Sequence, residues 1–197
     1  MLDRAWGCGG LQRSEQTGST CVEWADDTPN LTWGVTDGVH PDRFEEHDAW
    51  DVVISNHVIE HMHQDDLDEH FGSVLAILAP GGRYIASTPH RFSGPHDISR
   101  VFGYDVSAGM HLKEYTYGEL VRKLRKAGFR RLKSSLTIPK RIMDAKPFAS
   151  GAYLTYLRLI ETILGLIPNA KVRRRALGLC RAPLFQSNIV IVAEKKS

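Results

Sequence analysis

Cysteine is scarce in this sequence: Cys8, Cys21 and Cys180 are the three among 197 residues, and no CxxC occurs. That argues against a disulfide framework and a cysteine-based zinc site, and it fits a reducing compartment. Long apolar runs are also missing; none reaches the ~18 residues that a membrane span requires. The first ten residues, MLDRAWGCGG, lack a basic n-region and an apolar h-region, so no secretory leader and a cytoplasmic location are expected. Acidic residues are scarce from residue 140 onward, where three stand against eleven Lys and Arg. No repeat or low-complexity tract appears.

What is present is ordinary for a globular chain. Hydrophobic residues at 42% and charged residues at 24% exclude global disorder, and the length suits one domain. The formal net charge of +2 conceals a gradient. Residues 1–70 carry −13, residues 71–139 carry +7 and residues 140–197 carry +8. A chain polarised in this way is expected to pair its own parts, so no nucleic-acid partner is expected.

The periodicity alternates between two and 3.6. Residues 31–37 and 50–56 read as strands, the second (WDVVISN) as one buried on both faces. Residues 65–79 have helical spacing with acids in the first turns, and Pro80, Gly81 and Gly82 are expected to stop the helix. Residues 83–88 form the next strand. Residues 89–115 make a long polar loop rich in histidine, glycine and aromatics, and long loops in compact domains are usually functional. Thr116 caps a helix to about Ala127, with Glu119 at the capping-box position and Gly128 as its end. Residues 129–138 and 188–193 read as strands, and residues 151–167 and 171–180 as helices. The expected fold class is therefore α/β, with a mostly parallel sheet whose strand ends, at Asp37, at Asn56 and at Thr88, face any ligand.

Three runs taken in order are more specific: WDVVISNHVIEHM at 50–62, LAPGGRYIASTP at 78–89 and EYTYGELVRKLRKAGF at 114–129. With them the sequence resembles the class I S-adenosylmethionine-dependent methyltransferases of small-molecule type. The resemblance covers about residues 23–138 and the last strand. It implies a Rossmann-like sheet with the last strand antiparallel, S-adenosyl-L-methionine as cofactor and a small-molecule or glycan-like acceptor. It implies that Asp37 accepts the adenine amino group, with Gly38 and Val39 alongside, and that Asn56 and His57 line the methionine end. Glu60 and His61 match a Glu-His pair that is structural or loop-ordering in the family. Gly7, Cys8, Gly9 and Gly10 are reminiscent of the family's glycine loop, with Glu15 as the ribose acid. Glu15 lies only eight residues after Gly7, too few for a helix and a strand, so the N-terminal strand and helix are expected to be incomplete.

Other constellations compete. His57, Glu60 and His61 match HxxEH, an inverted zinc-protease motif, but they follow a strand directly instead of lying along a helix, so no metal is expected. His96 and His111 in the long loop are candidate general bases, with Tyr104 and Tyr115 as candidate lining residues. The basic cluster from Arg122 to Lys133 reads as the solvated side of an amphipathic helix. Residues 139–187 form a helical insertion before the last strand, expected as a lid or an interface. Its apolar stripe beside Lys171, Arg173, Arg174 and Arg175 also suits peripheral membrane contact through 152–181, and a homo-oligomer is the other candidate use. The rival functional reading is a methyltransferase-like partner or scaffold that no longer binds cofactor.

Overall fold

The computed structural model describes residues 3–6, 31–34, 36–135, 149–179 and 185–197. Its elements are β1 (Asp3–Trp6), β2 (Leu31–Gly34), β3 (Trp50–Asn56), α1 (Gln64–Ile77), β4 (Leu78–Pro89), α2 (Tyr117–Ala127), β5 (Arg131–Ser135), β6 (Ala149–Ser150), α3 (Gly151–Gly165), α4 (Ala170–Leu179) and β7 (Asn188–Glu194). β1 and β2 pair in parallel, with Asp3 opposite Leu31. The main sheet runs β3-β4-β7-β5-β6. β3 and β4 are parallel. β7 enters antiparallel between β4 and β5, as the α/β reading with an antiparallel last strand requires.

The helix ends follow the sequence rules with one exception. Thr116 Oγ1 accepts the Glu119 N–H at 3.2 Å, and Glu119 Oε2 accepts the Thr116 N–H at 2.9 Å, a complete capping box. Gly128 closes α2 at φ 114°, a conformation that a side chain disfavours. α1, however, ends at Ile77, before the proline and glycines. Leu78 is already extended and pairs with Trp50. The amides of Asp48 and Ala49 and the Lys195 ammonium satisfy the last carbonyls of α1 instead.

Leu67, Phe71 and Val74 of α1, Leu120 and Leu124 of α2 and Ile189 and Ile191 of β7 are fully buried in one core. The acidic and basic parts of the chain meet across the two helices. Asp68 of α1 takes Lys123 at 2.5 Å and Lys126 at 2.7 Å from α2. The internal pairing expected from the charge gradient is therefore present. α3 belongs to the core as well, through the buried Leu154, Leu157 and Leu164. Leu159, Ile163 and Leu166, which widen its apolar stripe, are exposed. The two-sided burial expected of β3 is not what the structure has. Val52 is 44% and Ile54 67% exposed: the face they share has no covering element among the described residues, whereas Val53 and Ser55 on the other face turn toward the core.

Candidate active site

Three chain segments carry polar groups at the carboxyl ends of the strands. The first follows β2. Asp37 Oδ1 accepts the amides of Val39 and His40 at 2.9 and 2.7 Å, and Oδ2 lies 2.8 Å from His40 Nδ1. Burial pushes the Asp37 carboxyl up, but the His40 and Val39 hydrogen bonds outweigh it and hold it below the ordinary value. Gly38 turns at φ 76°, and its carbonyl accepts His70 Nδ1–H of α1 at 2.7 Å. A carbonyl only accepts, so that nitrogen carries the proton and Nε2 is left to accept the Tyr84 hydroxyl at 3.3 Å. Burial pushes His70 down to about 4, so the ring is neutral at pH 7. The Asp37 turn is thus fastened to the helix that packs on the sheet.

The second segment follows β3. The Asn56 carboxamide oxygen accepts the Ser87 hydroxyl of β4. His57 turns at φ 54° and donates its amide to the Ser87 carbonyl at 3.0 Å. Its Nδ1 meets Glu60 Oε1 at 3.0 Å. Glu60 is fully buried, with Thr88 donating to Oε2 at 2.9 Å. Its carbonyl accepts the amides of Leu112 and Lys113, so this residue ties the strand end to the long loop. Residues Ile59–His61 form one 3-10 turn. The helix that would set His57 and His61 on one face for HxxEH chemistry is therefore not there.

The third segment is the long loop. Glu114, 4% exposed, is its hub, and the sequence reading missed it. Its Oε1 accepts the His96 amide at 2.6 Å and stands 3.1 Å from His111 Nδ1, while Oε2 stands 3.3 Å from His96 Nδ1. Burial pushes this carboxyl up, but His96, Ser107 and His111 outweigh it and bring it to about 2. Glu114 is ionised at any physiological pH. Asp97 orders the rest, accepting Ser99, Gly109 and His111 amides. The two candidate bases therefore share one carboxylate. They differ at the other nitrogen: His96 Nε2 is 3.2 Å from the Ser93 hydroxyl, whereas His111 Nε2 has no partner among the described residues. His61 joins this group, its Nδ1 on the Met110 carbonyl at 3.0 Å and its ring 5.0 Å from that of His111.

Gly7, Gly9 and Glu15 lie outside the described residues. Tyr115 is fully buried and Tyr104 exposed, so the two tyrosines do not form one wall. Two concavities, of about 480 and 310 Å³, lie elsewhere, one around Arg83 and Arg131 and one around Arg122 and Arg158. Among the described residues, no helix is long and apolar enough to cross a membrane.

The sequence model of a family described as a methyltransferase domain matches residues 14–134. No curated protein matches the sequence at a significant level. Among solved structures, the chain is similar to one in the complex between the Haloferax volcanii Trm112 methyltransferase activator and a methyltransferase, with 15% identity, 87% of this chain and 65% of that one covered and a TM-score of 0.53. It is also similar to a SAM-dependent methyltransferase from Archaeoglobus fulgidus, with 17% identity, 84% and 67% covered and a TM-score of 0.49. A third is the 1,6-didemethyltoxoflavin-N1-methyltransferase of Burkholderia thailandensis, with 16% identity, 85% and 52% covered and a TM-score of 0.46. The chain thus spans about two thirds or less of the length of these relatives. At such identities the likeness is one of fold.

Proposed function

We propose a function from one premise: the chain belongs to the methyltransferase-domain family, whose model matches more than half of it. On that premise the protein binds S-adenosyl-L-methionine at the carboxyl ends of β2 and β3. It transfers the methyl group to a small-molecule or glycan-like acceptor approaching along the long loop.

The observation that carries this reading is the Asp37 turn. It follows a parallel strand, as adenosine sites do in doubly wound sheets, and it is fastened through Gly38 to α1. The residues present fit the adenine end. The Asp37 side chain is 40% exposed, and its carboxylate retains lone pairs for an amino donor beyond those used by Val39 and His40. Gly38 and Val39 flank it. Asn56 and His57, ordered by Ser87 and Glu60, would line the methionine end. Gly7, Gly9 and Glu15 are the expected contacts to the methionine and ribose parts.

When bound, the cofactor supplies a methyl group already activated on a sulfonium. The chain's own task is then alignment of the acceptor, which in favourable cases lowers a barrier by about 7 kcal/mol or more. An acceptor hydroxyl must also lose a proton. His111 is better suited to take it than His96: Glu114 orients its Nδ1, and its Nε2 is unpartnered among the described residues. Both histidines reach Glu114, so the pair gives a built-in comparison.

The test is transfer of label from methyl-tritiated S-adenosylmethionine into the small-molecule fraction of a cell extract. Wild-type protein should label that fraction, and Asp37→Ala should not. His111→Ala should lower turnover by on the order of 10²-fold and flatten the acid limb of the pH profile, whereas His96→Ala should retain that limb. Absence of label transfer together with absence of cofactor binding would favour the scaffold reading.

A further inference from the structure

The HxxEH motif does not build a protease helix, yet one half of it meets the long loop in a different arrangement. Ligand atoms of Glu60, His61 and His111 all lie within 4.8 Å of one another. Glu60 and His61 are adjacent in sequence, and His111 is fifty residues further on. We propose that these three residues form a site for a divalent transition-metal ion, two imidazoles and one carboxylate, clamping the long loop onto the end of β3. The proposal reverses the sequence expectation of no metal.

Four observations support it. First, both histidines are held by Nδ1. His61 Nδ1 contacts the Met110 carbonyl at 3.0 Å, and His111 Nδ1 contacts the Glu114 carboxylate at 3.1 Å. The Met110 carbonyl fixes the His61 proton on Nδ1, and the Glu114 carboxylate 3.1 Å away does the same for His111. Each ring therefore turns a lone pair on Nε2 outward. Metal-binding histidines are commonly oriented in this way, by a carbonyl or a carboxylate behind the ring. Second, those two Nε2 atoms have no partner among the described residues. Third, Glu60 is fully buried, and its two oxygens are oriented by Thr88 and His57 while lone pairs remain. Fourth, the cluster runs from core to surface: Glu60 is buried, His111 half-buried and His61 exposed. Three ligands leave coordination positions for water or an acceptor oxygen.

Imidazole and carboxylate together suit zinc, cobalt, iron or manganese, not the softer ions that prefer thiolate. A shared ion at a bond length of ~2.1 Å needs ligand atoms about 3.4 Å apart, so atoms now within 4.8 Å of one another close by about 1.4 Å at most. The exposed His61 supplies that movement. This deepens the proposed function, on which its catalytic meaning rests but its binding does not. With an ion bound, His111 Nε2 is a ligand and not a base. An acceptor hydroxyl coordinated to the ion would then be acidified, and its proton would pass to solvent water.

The experiment is Co²⁺ titration of the full chain after chelator treatment and removal of the chelator, followed by its visible absorption, with Zn²⁺ competition by calorimetry. The expected result is one ion per chain and displacement of Co²⁺ by Zn²⁺. His61→Ala and His111→Ala should each weaken binding at least tenfold with unchanged circular dichroism. Glu114→Gln should weaken it about 10–100-fold by removing the carboxylate behind His111. His63→Ala, an exposed neighbour outside the cluster, should bind as wild type does. Absence of stoichiometric binding, wild-type affinity in His61→Ala, or an equal loss in His63→Ala would overturn the proposal. None of these readouts uses the cofactor, so a protein that binds the ion and not S-adenosylmethionine would refute the methyltransferase reading alone.

Discussion

Replacing Glu161 by alanine tests whether α3 is part of the folded domain. Glu161 sits on the buried side of α3 with its side chain 9% exposed. Its carboxylate accepts the amides of Tyr117 at 2.6 Å and Gly118 at 2.8 Å, two first-turn donors of α2 that have no intrahelical acceptor. Its Oε1 also meets His90 Nε2 at 2.8 Å. The Phe92 amide donates to His90 Nδ1 at 3.0 Å, so the proton of the neutral ring is on Nε2 and points at Glu161. Burial, against the pull of the carboxylate, pushes His90 down, so the ring is neutral. Alanine therefore removes one acceptor from three donors and leaves the His90 and Tyr117 N–H groups buried. Each such group costs about 1–3 kcal/mol, and with the packing at the site we expect a loss of about 3–5 kcal/mol. That is a large fraction of the ~5–15 kcal/mol of a typical domain and about 10 °C in Tm. Urea unfolding followed by circular dichroism reads it directly. Glu161→Gln, which keeps one acceptor oxygen, should lose less. A loss below about 1 kcal/mol in Glu161→Ala would refute the claim that this carboxylate joins α3 to α2.

Two further effects follow from the fold. His70 titrates near 4 in the folded chain against about 6.5 when unfolded, so the unfolded chain binds the extra proton. Its contribution is whole above pH 6.5 and falls by about 3 kcal/mol as pH drops toward 4. Urea midpoints measured from pH 7 to pH 4.5 should show that decline, and it should be shallower in His70→Gln. A β-carbon on Gly82 would stand 2.8 Å from the carbonyl oxygens of Ala79 and Trp50, both backbone atoms. Gly82→Ala should therefore destabilise by about 1–3 kcal/mol in the same assay, because the β3–β4 pairing must shift to admit it.

The fold was legible where local chemistry decides it. The capping box of Thr116 and Glu119 with Gly128 bounds α2, and strands alternating with helices give the sheet. The β-rich run of β3 suggests two-sided burial, but burial depends on neighbours that periodicity does not contain. Asp37 and Asn56 could be named as candidates because each stands at a strand end that the local pattern marks. Glu114 and Glu161 could not, since each also gathers a group distant in sequence, His96 for Glu114 and His90 for Glu161. Glu161 did leave a signal: it is the one acid in α3, on the apolar stripe with Leu157 and Leu164. The meeting of His61 with His111 left none, because loop closure creates it.

The most direct test of the account is calorimetric titration of the purified chain with S-adenosylmethionine. The account predicts one binding site per chain, weakened at least tenfold in Asp37→Asn. Asparagine keeps an oxygen for the Val39 and His40 amides, so that variant should retain the wild-type unfolding midpoint, while the lost charge weakens the hold on the adenine amino group. Absence of binding by the wild-type chain, or equal affinity in the two proteins, would contradict it.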